Sequence, residues 1–171
     1  MKLKKRKNPK YPLKATLTDG TSLIIPRQSK FDNDWLRKHG CSLMAEYIAL
    51  QWLGTKKYPL TLYNWHKKHT PDDIAAKVML TGVEKGIDKL GKIGNAKYYK
   101  ETTSERMTKA LKEGKFVIYE QKDPIHTVIL IPDDGYIWIA NHGTVKKTTV
   151  AKQMKKVLEN TKYKGMVVVS R

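Results

Sequence analysis

The spacing of apolar residues changes character partway along the chain. Positions 13–25, "LKATLTDGTSLII", alternate around Asp19-Gly20, the dipeptide favoured in tight turns, and predict a short β-hairpin. "RQSKFDNDWLRKHG" follows and reads as polar loop. From Cys41 to Leu53 only Ser42, Glu46 and Gln51 are polar. A helix that is apolar nearly all round belongs inside a domain, and Gly54 is the expected stop. A second helix is predicted over about 60–68, with His66 and His69 among lysines on an exposed face. A third follows Thr70 as cap, with Pro71 first, Asp72 and Asp73 in the opening turn, and Ile74, Ala75, Val78 and Met79 as its apolar face. "GVEKGIDKLGKIGNAKYYKETT", with glycines at 82, 86, 91 and 94, reads as loop. Thr102 and Glu105 stand at capping-box spacing before a helix carrying Met107, Ala110 and Leu111.

Beyond Gly114 the character changes to β-rich segments. "KFVIYE", "HTVILIP" and "YIWIAN" predict three strands, the last two joined at Asp134-Gly135. "VAKQMKKVLEN" returns to helical spacing, with Val150, Met154, Val157 and Leu158 on its buried side, and "GMVVVS" predicts a final strand. Helices first and strands later make an α+β layout rather than a doubly wound parallel sheet. No internal repeat is visible. The 171 residues suit one domain, 11–171, preceded by a basic flexible arm at 1–10.

Charge adds a partner to this picture. Thirty-four basic against sixteen acidic residues give a formal net charge of +18, more than solubility requires. Such a surplus predicts attraction to an anionic partner: nucleic acid, an acidic protein, or an anionic surface such as lipid or cell-wall polymer. No nucleic-acid-binding signature accompanies it. No apolar run approaches a membrane span, and no apolar core follows the basic N-terminus, so no signal peptide is visible. A cytoplasmic protein or an excised domain is expected. The single cysteine excludes an internal disulfide, and no Cys/His cluster has zinc-site spacing.

That one cysteine carries the candidate chemistry. Cys41 follows Gly40 and opens the apolar helix. A thiolate is the nucleophile, and a helix N-terminus or a neighbouring imidazolium favours it. Of the five histidines, His126 stands out because it begins a strongly apolar strand, which puts a polar ring at a sheet edge. His39 is next to Cys41 in sequence, but the backbone is expected to aim it elsewhere. Asn141 ends the following strand, and folding about residues 133–135 brings it close to His126. An amide there could fix the imidazole tautomer, leaving the other ring nitrogen for the sulfur.

Gly40-Cys41 at a helix start, "EGKFVIYE", the His-led "HTVILIPDDGYIWIANHG", and a closing helix and strand occur in that order over about residues 22–170. This ordered set resembles the papain-like cysteine peptidases. It is most similar to the bacterial branch of double-glycine leader (bacteriocin-processing) peptidases and their stand-alone relatives. The resemblance implies a papain-like α+β fold with the thiol helix packed on an antiparallel sheet. It implies a hydrolase acting on a peptide or protein substrate without metal or organic cofactor. Cys41 matches the nucleophile, His126 the general base and acid, and Asn141 the third member of a Cys-His-Asn triad. Gln28, the only glutamine upstream of Cys41, matches the oxyanion-hole donor, at a separation of 13 residues that exceeds the spacing in papain itself. Many relatives carry Asp one place after the Asn position, where this chain has His142. That departure leaves room for a catalytically inactive, peptide-binding member of the fold. A rival from another class is a basic nucleic-acid-binding domain whose cysteine only fills the core.

Overall fold

The computed structural model describes residues 12–75, 80–122, 125–141, 144–159 and 163–171. The expected basic arm, Val78, Met79 and His142 lie outside these residues. Strands β1 (Leu13–Thr16) and β2 (Ser22–Ile25) form the predicted hairpin, with Leu13 opposite Ile25 and Thr16 opposite Ser22. Gly20 takes the positive φ of 89° that the turn needs. A short 3-10 turn at Gln28–Lys30 and helix α1 (Asp34–His39) replace the predicted polar loop. The signal for α1 was Asn33, whose side chain accepts the Leu36 N–H as an N-cap.

Helix α2 (Cys41–Trp52) matches the predicted buried helix, and α3 (Pro59–His69) the second. Helix α4 (Pro71–Ala75) starts where the proline placed it. The stretch read as loop instead folds into α5 (Leu80–Leu90) and β3 (Asn95–Tyr99). Its glycines at 82 and 86 lie within the helix and allow close packing: a Cβ on Gly82 would meet Asp73, and one on Gly86 would meet Glu46. Helix α6 (Ser104–Lys112) is capped by Thr103, which accepts the Arg106 N–H, one place later than the expected Thr102.

Strands β4 (Phe116–Lys122), β5 (Ile125–Asp133) and β6 (Tyr136–Asn141) are the three predicted strands. Positive φ at both Asp134 (47°) and Gly135 (79°) fits the turn expected between the last two. Strand β7 (Thr144–Thr149) was not foreseen, because its "TVKKTT" sequence lacks an apolar face. Helix α7 (Val150–Glu159) and strand β8 (Tyr163–Ser170) complete the described chain.

Strands β3 to β8 form one antiparallel sheet in the order β3-β8-β4-β5-β6-β7. The fold is mixed α+β, with helices on both faces of that sheet. Strand alternation divides the core in two. Phe116, Ile118, Ile129, Ile131, Val167 and Val169 pack with α2, α5 and the β1–β2 hairpin. Val117, Tyr119, Val128, Leu130, Met166 and Val168 pack with α6 and α7. Trp52 meets Phe116 at a ring distance of 5.5 Å, which makes it the core residue its position predicts. The Gln51 side chain accepts from Ile24 N–H at 3.0 Å and donates to Ile24 C=O at 2.9 Å, so a helix amide pairs with the backbone of β2. No described helix is long and apolar enough to cross a membrane.

Candidate functional site

Gly40 is the joint between α1 and α2. Its N–H donates to Leu36 C=O at 2.9 Å, closing α1, and its C=O accepts from Met44 N–H at 2.9 Å, opening α2. A Cβ on residue 40 would lie 2.3 Å from the Leu36 oxygen, so only glycine fits. The close turn sets Cys41 at the first residue of a helix that is otherwise buried. The thiol itself is half-buried.

The hydrogen bond that the structure gives Cys41 Sγ comes from Thr127 Oγ1, 3.5 Å away. Thr127 lies on β5, is 3% exposed, and also meets Ser42 Oγ at 3.3 Å. When Ser42 donates to Thr127, the threonine hydrogen is free to point at the sulfur. This Ser42–Thr127–Cys41 chain of polar atoms sits between α2 and the sheet. Sequence reasoning missed it, because a single threonine inside "HTVILIP" carries no distinguishing signal.

His126 is the residue immediately before Thr127 and is buried, 7% exposed. It pairs with Gln121 across β4–β5. Regular alternation groups it with Val128, on the α6–α7 side of the sheet, while Thr127 and Ile129 face α2. Next to this pair the β4–β8 ladder shifts register between Glu120 and Gln121, while the β4–β5 pairing that holds His126 stays regular. Asn141 closes β6 opposite Thr144. Carried one step past Ile129↔Ala140, the β5–β6 register sets position 141 opposite 128. Positions 126 and 141 are then diagonal neighbours, at a separation of about 7–8 Å. Gln28 is buried on the 3-10 turn that packs against α1, ahead of the thiol. His39 is half-buried with its ring 5.9 Å from that of Trp35, and Trp35 stacks on Tyr63 at 4.9 Å.

A second polar cluster lies deeper along α2. Glu46 and His66 are both fully buried. His66 Nε2 stands 2.7 Å from Glu46 Oε2, and His66 Nδ1 stands 2.7 Å from Thr70 Oγ1. This corrects the expectation that His66 is exposed: the Pro59, Leu62, His66 spacing places it on the inner face of α3, while Lys67, Lys68 and His69 are exposed. Burial pushes the Glu46 carboxyl up to about 7, against the opposing pull of His66. Thr70, predicted to cap the next helix, spends its hydroxyl on His66 instead, donating to its carbonyl oxygen at 3.3 Å.

Among the described residues, no group of His, Cys, Asp and Glu side chains could hold a metal ion. The fold and site thus define an α+β protein with a half-buried thiol at a helix start, seated against β5, an inner strand of an antiparallel sheet. Comparison with known proteins gives neither a matching family model nor a matching curated protein.

Proposed function

We propose that the protein is a papain-like, thiol-dependent enzyme that cleaves or transfers amide bonds of a peptide substrate. The observation that carries this reading is the seating of Cys41 Sγ. It stands at the start of α2 with a hydroxyl donor at 3.5 Å, against the strand on which His126 is the next residue. A hydrogen bond to sulfur favours its anionic form, as does a helix N-terminus.

In the proposed reaction His126 takes the thiol proton and Cys41 attacks the amide carbonyl carbon. The carbonyl electrons move to oxygen, where backbone N–H groups of the α2 start and the Gln28 side chain receive them. Collapse expels the amine, which leaves with the proton from His126, and a thioester remains on Cys41. Water or a second amine then attacks the thioester and regenerates the thiol. Asn141 orients the imidazole. This scheme needs the start of β5 to reorient on substrate binding, so that the His126 ring turns from the α6–α7 face of the sheet toward α2.

The second reading, a peptide-binding member of the fold without catalysis, draws on one observation: Thr127, not His126, supplies the described contact to the sulfur. A peptide library separates the two. Cleavage by the native protein that disappears in Cys41→Ser and in His126→Ala supports the enzyme. Peptide retention without cleavage, unchanged in His126→Ala, supports the binding domain. The positive charge is assigned to docking on an anionic partner, with the substrate site elsewhere.

A further inference from the structure

The Glu46–His66 pair is buried, ionisable and unused by the chemistry proposed for Cys41. Its hydrogen bonds bear on how many protons it holds. Thr70 Oγ1 lies 3.3 Å from the His66 carbonyl oxygen and 2.7 Å from His66 Nδ1. When its hydrogen goes to the carbonyl, it receives one from Nδ1, which then carries a proton. In that arrangement a hydrogen bond across the 2.7 Å gap between Nε2 and Glu46 Oε2 needs one further proton, on the carboxyl or on the ring. In both forms the pair is neutral overall. Without that proton, a carboxylate would face a bare ring nitrogen inside the core. The other carboxyl oxygen, Oε1, has no hydrogen-bond partner among the described residues and is closed off by α5, since a Cβ on Gly86 would lie 1.8 Å from it. Water has no room to relieve the charge from that side.

The surrounding charges do not substitute. On α3, Lys67, Lys68 and His69 are exposed. On α5, Glu84 and Asp88 accept from the Tyr98 and Ala96 N–H groups, and Lys85 and Lys89 are exposed. Asp73 of α4 lies against Gly82, Asp72 is exposed, and Arg37 of α1 is engaged with Asp34 and Phe31 C=O. Glu46 is the only charged residue of α2, and β2 carries none.

We propose that Glu46 and His66 form a one-proton latch that holds α3 and α5 against α2, the helix that bears Cys41, and that loosens as the pH rises. The sign follows from linkage. The folded carboxyl titrates at about 7, above its ordinary 4.5. A group raised in this way stabilises the fold fully below 4.5, and its contribution disappears as the pH climbs through about 7. The latch releases on the alkaline side of neutrality, and it does so whether or not Cys41 is catalytic.

Hydrogen exchange of the whole protein, corrected for intrinsic rates, tests this at about pH 5.5 and about pH 8 against Glu46→Gln, whose amide keeps a hydrogen bond without titrating. In the native protein, protection of α3 and α5 amides relative to α6 should fall about tenfold or more between the two pH values, and in the variant it should not. Equal behaviour of the two proteins would overturn the latch. Nitrogen NMR of labelled histidine in the native protein gives a reading that does not depend on the variant folding. His66 should keep its proton on Nδ1 throughout, and a neutral ring carrying it on Nε2 alone would contradict the proposal.

Discussion

Thr127 is the residue whose removal speaks most directly about the thiol. Its hydroxyl is the described donor to Cys41 Sγ, and Thr127→Val takes away that donor while keeping the shape. A hydrogen bond to a charged group contributes about 1.5–3 kcal/mol, so alkylation of Cys41 near neutral pH should slow about tenfold in Thr127→Val. Thr127→Ser, which keeps the hydroxyl, should stay near the native rate. Equal rates in all three proteins would remove Thr127 from the account. Gly40 offers a structural counterpart. Gly40→Ala drives a methyl into the Leu36 carbonyl and should cost about 1–3 kcal/mol in chemical denaturation, because the α1–α2 joint must open to admit it. Both Gly40 and Cys41 were legible in the sequence as a breaker followed by an apolar helix. Thr127 was not, since contact between α2 and β5 is tertiary. His66 could have been found: its spacing from Pro59 and Leu62 marks the inner face of α3, but the lysines beside it suggested a solvated one.

At the scale of elements, Asp133 ties the two hairpins together. Its carboxylate accepts from Thr18 N–H at 2.8 Å and Trp138 Nε1–H at 3.0 Å, and meets Lys147 Nζ at 3.3 Å. Burial alone would push the carboxyl up, but these donors outweigh it and hold the group at about 2. A carboxyl held below its ordinary 3.8 stabilises the fold above that value, and the contribution is lost as pH falls through about 2. Asp133→Ala should therefore lose about 2 kcal/mol in urea denaturation at neutral pH, with the gap to the native protein closing in strong acid. A gap that stays constant down to strong acid would show that the carboxylate charge is not the cause. Of the strands that carry this network, β5 and β6 were readable from their β-rich segments and from Asp134-Gly135. Edge strand β7 was not, because exposure on both sides erases the alternating pattern. Helix α5 was hidden by Gly82 and Gly86, which read as loop residues although they serve close packing against α4 and α2.

For the whole molecule, two properties stand apart from the fold. One is the formal net charge of +18. An anionic partner held by that charge should bind with a steep salt dependence, and removal of residues 1–10 should weaken binding while leaving peptide cleavage unchanged. A truncated protein that binds a polyanion as tightly as the full chain would place the docking surface on the folded part. The other property is the meeting of a thiol helix with a His-bearing strand. The α+β layout was legible because helices α2 and α7 and strands β4, β5, β6 and β8 each stand out as helical or β-rich segments of the sequence. The helix–sheet pairing that brings Cys41 against Thr127 depends on which sheet face α2 covers, and no local period encodes that. The account rests on Cys41 being an activated nucleophile that His126 serves. The direct measurement is the iodoacetamide alkylation rate of Cys41 at about pH 6.5 in the native protein, in His126→Ala and in the urea-unfolded chain. The account predicts that the native thiol reacts faster than the unfolded one and slows about 100-fold in His126→Ala. A native rate at or below that of the unfolded chain, and indifferent to His126, would contradict it.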